Sequence, residues 1–299
     1  EIRQNALDFS LEGQEIIPRA RAACETALAV SGRTAGRGVG AVLQEVQAEL
    51  ASAKEAGVDL TTGFPTLDAL TAGLERTLLT ILAGRPSMGK TAMALQIAYR
   101  NAARGRVVCF RSCESSDKSL GKRLISQVAG VDFSKIRQPW RLTPDEHRNI
   151  ATTAAGLADL PLIFESDPQR TDYRDICSWV RREAAARGRV DLVVGDYLQL
   201  VDGPEKEIRL RMDAACKAFK KLAIDLNCHV VWLSQLSRPL ADRREKRPVL
   251  HDLKESGGIE AAADLVLFPF RPHYFDAAEP AEEAEVNVAK QRDGPAGPN

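Results

Sequence analysis

Excess charge of either sign is missing from this chain: 41 lysines and arginines meet 41 aspartates and glutamates over 299 residues. That argues against an all-over basic coat for nucleic acid, though not against a local basic channel. Aromatics are few, at 5%, while hydrophobic residues reach 44%, which fits a soluble globular protein able to bury a sizeable core. No apolar run approaches the ~20 residues that span a bilayer. The six cysteines form no C-x-x-C pair, and several sit in apolar runs. Reduced, packed thiols in a cytosolic protein are expected. The opening "EIRQNALDFS" lacks the features of a signal peptide. It also lacks an initial Met, as expected of a fragment or a processed chain. There is no internal repeat and no low-complexity tract.

What is present divides into three stretches. Residues 1–31 hold one helical segment, "IIPRARAACETALAV". The Gly/Ser/Arg break "SGRTAGRG", a linker signal, starts at Ser31 and leads into residues 32–60. There follows an amphipathic helix whose Val39, Leu43, Val46 and Leu50 recur at i, i+4, i+7 and i+11. That stripe needs cover, from its own domain or from a neighbouring subunit. From residue 61 apolar runs alternate with helical segments. The runs are "TLLTILAG", "RVVCFR", "PLIFES", "DLVVGD", "HVVWLSQ", "DLVLFPFR" and "EVNVAKQ". This predicts an α/β fold, a mostly parallel sheet covered by helices on both faces.

"GRPSMGKT", residues 84–91, matches G-x-x-x-x-G-K-[ST] between a strand and a helix, the context this phosphate loop requires. Gly84, Arg85, Pro86, Ser87, Met88 and Gly89 supply backbone N–H groups to phosphate oxygens. The following helix N-terminus adds positive potential. Lys90 is expected to reach the β/γ-phosphates and Thr91 to ligate Mg²⁺. Asp196 ends the strand in "VDLVVGDYLQL" and can hold the metal's water shell. Gly195 before it is unusual inside a strand; relief of crowding beneath the nucleotide would explain it. Glu114, past "RVVCFR" and placed beside the phosphate-loop strand, is suited to orient or activate the attacking water. Gln235, at the end of "VVWLSQ", is suited to sense the γ-phosphate. Taken singly, each of these residues could equally cap a turn or a helix.

The blocks "TTGFPTLDALTAGL", "GRPSMGKT", "VVGDYLQL", "WLSQLSR", "HDLKESGGIEAAADLVLFPFR" and "VAKQRDGPAG" resemble, in order and spacing, the ATPase domain of the DnaB family of bacterial replicative DNA helicases. The resemblance spans roughly residues 61–299, with the linker helix before it. It implies a RecA-like domain in a homo-hexameric ring, ATP between subunits, and 5′ to 3′ movement on single-stranded DNA through the centre. Primase and a helicase loader are the implied partners, with no membrane and a cytoplasmic location. Carried over, Lys90, Thr91, Glu114, Asp196 and Gln235 keep the roles above, and Arg123 matches an arginine near the nucleotide. Lys254, Glu255 and Gly257 match the segment that touches the DNA backbone. The loop before them gathers Arg243, Arg244, Lys246 and Arg247, which could neutralise phosphates without reading sequence.

Lys290 and Arg292 alternate with Val286 and Val288, so they are expected on one side of the last strand. The resemblance makes them cations supplied in trans to a neighbour's γ-phosphate. The chain departs from the family at several points. Thr77 replaces a usual glycine, Lys254 a usual arginine and Asp293 a usual asparagine. The N-terminal collar domain, which contacts primase, is reduced to at most a remnant in 1–31, and Asn299 precedes the family's final strand region. Two other classes stay open: a RecA-type recombinase, and a regulatory RecA-fold ATPase indifferent to DNA.

Overall fold

The computed structural model describes residues 38–56, 58–236, 245–292 and 294. The predicted helix in 1–31, Arg243, Arg244 and Asp293 lie outside these residues. The chain divides into two units between residues 57 and 58. The first contributes helix α1, Val39–Ala56, on which Val39, Leu43, Val46 and Leu50 are exposed.

The second unit is one seven-stranded sheet. Its strands are β1 (Leu79–Gly84), β2 (Val108–Ser112), β3 (Leu162–Glu165), β4 (Leu192–Asp196), β5 (His229–Gln235), β6 (Leu265–Phe270) and β7 (Glu285–Gln291). They lie in the order β3-β2-β4-β5-β1-β6-β7. Every predicted strand is present, and all pair in parallel except β7 on β6. The 271–284 connection carries no α-helix that could cross back over the sheet, so β7 returns antiparallel. Alternation assigns side chains to two cores. Leu79, Ile81 and Ala83 face one core with Phe219 and Leu222, while Leu82 faces the other with Leu95 and Ile97.

Helices follow α2 (Pro65–Thr71) as α3 (Lys90–Ala102), α4 (Asp117–Ala129), α5 (Phe133–Arg137), α6 (Pro144–Leu157), α7 (Tyr173–Arg187), α8 (Ile208–Leu226) and α9 (Gly257–Ala262). The short α2, α5 and α9 lack enough turns to show a period in sequence. Local chemistry sets several ends. Thr143 and Glu146 form a reciprocal capping box ahead of α6, and Gly130 and Gly188 close α4 and α7 in left-handed conformations. The five described cysteines are free thiols, four of them buried, as expected. Among the described residues no helix is long and apolar enough to cross a membrane.

Two expectations need correction. The last strand does not keep its alternation. Val288 opposes Leu267 and Lys290 opposes Val266, with a bulge between these pairs. One extra residue on β7 therefore turns Lys290 away from the side of Val286 and Val288. Val288 and Val286 pack with the core of Leu82, whereas Lys290 opposes Val266 of the other core. Second, β2 is not beside β1; β4 and β5 intervene. Glu114 therefore comes from three strands away, because strand order does not follow sequence order.

Thr77, the residue standing where the resembling family has glycine, takes φ 65°. Its N–H donates to Cys228 O and its carbonyl accepts from Lys220 Nζ, both at 2.8 Å, which holds it in that left-handed region. A β-branched residue is strained there by roughly 1–2 kcal/mol. Glycine returns about 0.5–1 kcal/mol as chain entropy. Thr77→Gly should therefore raise the unfolding free energy by about 0.5–1 kcal/mol in urea titration; a fall would show that the threonine is not strained.

Candidate nucleotide site

β1 is buried along its whole length and delivers the phosphate loop to the C-terminal edge of the sheet. Ser87 at φ 67° and Gly89 at φ 87° curl the loop, so its N–H groups can converge on an anion. Gly89 then caps α3, whose first residues are Lys90 and Thr91. Met88 is buried, while Arg85 stacks over the Phe275 ring at 5.5 Å.

Lys90 Nζ donates to the carbonyls of Gly84 (2.7 Å) and Arg85 (2.9 Å), bridging the mouth of the loop. Burial lowers its pKa to about 8, against the opposing charges of Asp196 and Glu114. The Thr91 hydroxyl donates to Asp196 Oδ2 at 2.8 Å, so the two proposed metal residues meet directly. Burial raises the Asp196 pKa, and the Glu114 charge adds to this; Thr91, Lys90 and Arg123 pull the other way. This under-solvated carboxylate beside a hydroxyl suits Mg²⁺, which takes one or two carboxylates and completes its shell with phosphates and water. Among the described residues no three His, Cys, Asp or Glu side chains converge into a closed metal cage.

Glu114 is exposed in the turn after β2. Ser112 Oγ accepts from the N–H groups of Glu114 (3.3 Å) and Ser115 (2.8 Å), and Cys113 N–H donates to Asp196 O at 2.6 Å. These bonds tie the Glu114 turn to the end of β4 despite the separation of β2 from β1. Gln235 is the register partner of Gly84, so the predicted sensor stands beside the first residue of the phosphate loop. Arg123 lies over the Phe133 ring at 5.0 Å. It lines an open pocket of about 350 Å³ with Lys118, Lys122 and Arg137.

Gly195 has a structural reason different from the expected one. A Cβ there would meet the Trp232 ring at 2.4 Å. Trp232 is fully buried and stacks on Phe219 at 4.3 Å, so the ring cannot retreat. The crowding comes from the neighbouring strand, not from a nucleotide. Overpacking of this kind costs about 1–3 kcal/mol. Gly195→Ala should lose that much stability in urea titration, and a neutral result would show that Trp232 has room to move.

Other predicted residues fall elsewhere. Lys254 and Glu255 belong to the 3₁₀ turn Leu250–Ser256, and Gly257 opens α9; their side chains are outside the described residues. Arg247 does not stand free for phosphate as expected. Its guanidinium pairs with both carboxylate oxygens of Glu285, at 2.8 and 2.7 Å, beside the Phe270 ring. Lys290 and Arg292 sit near the N-terminal end of β6, since Gln291 opposes Leu265, and Leu265 also opposes Thr80 low on β1. That is the sheet edge opposite the chain's own phosphate loop. Both cations have partners that sequence distance concealed. Lys290 Nζ donates to the carbonyls of Glu260 and Ala263 at 2.7 Å, at the C-terminal end of α9. Arg292 donates to the buried Asp264 at 2.8 Å while remaining half exposed.

A phosphate loop at the C-terminal edge of a mostly parallel sheet, with Asp196 on Thr91 and Gln235 beside Gly84, defines a RecA-like P-loop domain. The solved ATPase domain of G40P superposes with TM-score 0.81 at 30% identity, covering 88% of this chain and 94% of that one. A DnaB-like replicative helicase, solved in a study of its interactions with primase, matches with TM-score 0.78 at 28% identity, over 99% of this chain and 73% of that one. The replicative DNA helicase DnaB of Haemophilus influenzae is 38% identical over 242 residues, 80% of this chain and 52% of the relative. That of Geobacillus stearothermophilus is 35% identical over 243 residues, 79% and 52% respectively. The DnaB-like helicase C-terminal domain model matches residues 59–298, and the chain belongs to this family. It spans about half the length of these curated relatives.

Proposed function

We propose that residues 61–299 form the ATP-driven motor of a replicative DNA helicase. It moves 5′ to 3′ on single-stranded DNA as a homo-hexamer and hydrolyses ATP between subunits. The observation that carries this reading is the polarity of the sheet. The phosphate loop, Thr91–Asp196 and Gln235 occupy one edge, and Lys290 and Arg292 the other. These cations are at the wrong end of the chain's own sheet for its own nucleotide, so stacking one subunit's last strand on the next subunit's phosphate loop would complete the site. Lys90 would neutralise the β/γ-phosphates, Thr91 and Asp196 would hold Mg²⁺, and Glu114 would accept the proton of the attacking water. Gln235 would register the γ-phosphate, with Arg123 near the nucleotide.

Lys254 and Glu255, in the 3₁₀ turn before α9, and Gly257, at its start, would line the DNA path. Lys290 rests on the other end of the same helix. The exposed stripe of α1 would dock on a neighbouring subunit. Primase and a loader are the proposed partners, and the cytoplasm the proposed location. The test is a mass measurement with and without ATP and single-stranded DNA. A six-subunit species that forms or strengthens when both are present is expected; a monomer under all conditions would contradict interfacial hydrolysis.

A further inference from the structure

Gln199 lies in the 3₁₀ turn Leu198–Leu200 that follows β4. Its side-chain amide makes three bonds to the end of β5. Nε2 donates to Ser234 Oγ at 2.9 Å and to the Gln235 carbonyl at 3.1 Å. Oε1 accepts from the Gln235 N–H at 3.0 Å. The topology shows why a side chain is needed there. The β4 ladder on β5 ends at Gly195 opposite Trp232, whereas β5 continues against β1 as far as Gly84 opposite Gln235. The last residues of β5 thus have a strand on one side only. The Gln199 amide presents a donor and an acceptor to the Gln235 backbone, as a peptide group would, with Nε2 donating also to Ser234 Oγ, and takes the place of the strand that has turned away.

The Gln235 side chain lies within interaction range of Tyr197, the residue that caps this turn. Backbone and side chain are therefore held separately. The backbone is fixed by Gln199, while the side chain reaches toward Tyr197 instead. We propose that Gln199 is a positioning residue. It pins the Gln235 backbone beside Gly84, so that the Gln235 side chain alone changes partner when a γ-phosphate arrives. This inference rests on the reading of Gln235 as the sensor. It links that sensor to the turn immediately following the metal carboxylate Asp196.

The test is a double-mutant cycle in the full chain, with Gln199→Leu, Gln235→Ala and the pair. Affinity for a non-hydrolysable ATP analogue, kcat with and without single-stranded DNA, and melting temperature are measured for each. Gln199→Leu should bind the analogue within about twofold of the parent and lose about tenfold in DNA-stimulated kcat. The pair should be no worse than Gln235→Ala, because residues acting as one unit are not additive. Gln199→Glu keeps the acceptor and loses both donor bonds, so it should fall between Leu and the parent at unchanged melting temperature. This second variant keeps the test open if Gln199→Leu folds poorly. Multiplying losses in the pair would overturn the positioning role, as would loss of analogue binding in step with melting temperature in both variants. Full kcat in Gln235→Ala would overturn the sensor reading and this inference with it. An impaired Gln235→Ala with a multiplicative pair would overturn this inference alone.

Discussion

Glu114→Ala should bind ATP with the parent's affinity and hydrolyse it about 10²–10⁴-fold more slowly, the contribution usual for a positioned general base. The split follows from where the charge sits. In the proposed site phosphate affinity would reside in the loop N–H groups and in Lys90, which is bonded to the loop itself. Glu114 contributes no bond to that loop. It is held instead by Ser112 and by the bond from Cys113 to Asp196, which bring it within electrostatic range of Lys90 and Asp196. Deleting the carboxylate lowers the Lys90 pKa further, but it also removes a negative charge that a bound phosphate would meet and whose support of protonated Lys90 that phosphate replaces, so binding of an anion has no net reason to weaken. Isothermal titration with a non-hydrolysable analogue and steady-state phosphate release separate the two effects. Normal turnover in Glu114→Ala would assign the base elsewhere.

Arg292→Ala is expected to lose about 10³–10⁵-fold in turnover, the range contributed by arginine fingers in other nucleotidases. The resting geometry sets a condition on that role. Arg292 donates one nitrogen to the buried Asp264, which also accepts from the Leu79 N–H and from Lys220. Lys220 thus already answers the Asp264 charge at Oδ2, and the half-exposed guanidinium need release only Oδ1 to turn outward. Lys290 is tied more closely, by two carbonyls at the end of α9. Mixing gives the decisive form of the test. Arg292→Ala and Glu114→Ala subunits should each be inactive alone and regain part of the activity together. In a mixed ring, some interfaces join an intact Glu114 to an intact Arg292. No recovery in rings shown by mass to be mixed would place the arginine's action within its own subunit or deny it one.

The strands were legible because their apolar runs are nearly continuous, as burial on both faces demands. The phosphate loop was legible because its spacing is local, and Thr91–Asp196 because both lie at strand or helix ends that the pattern marks. What sequence concealed was set by neighbours across the sheet. Gly195 is explained by Trp232 on the adjoining strand, and strand order put β2 three places from β1. The bulge that turns Lys290 away from Val288 depends on register with β6, which alternation along β7 alone cannot show. Gln199 was passed over because it lies between two leucines in a short turn, and its partners are 35 and 36 residues away. Arg247 was read with its local basic neighbours, yet its charge is answered by Glu285, 38 residues on.

The most direct measurement is ATP turnover by the full chain against single-stranded DNA at several salt concentrations. The account predicts stimulation by DNA of any sequence, falling steeply as salt rises, because the grip is on phosphates and releases counterions. Turnover indifferent to DNA, with no salt-sensitive DNA binding, would contradict it and identify a nucleotidase that does not act on nucleic acid.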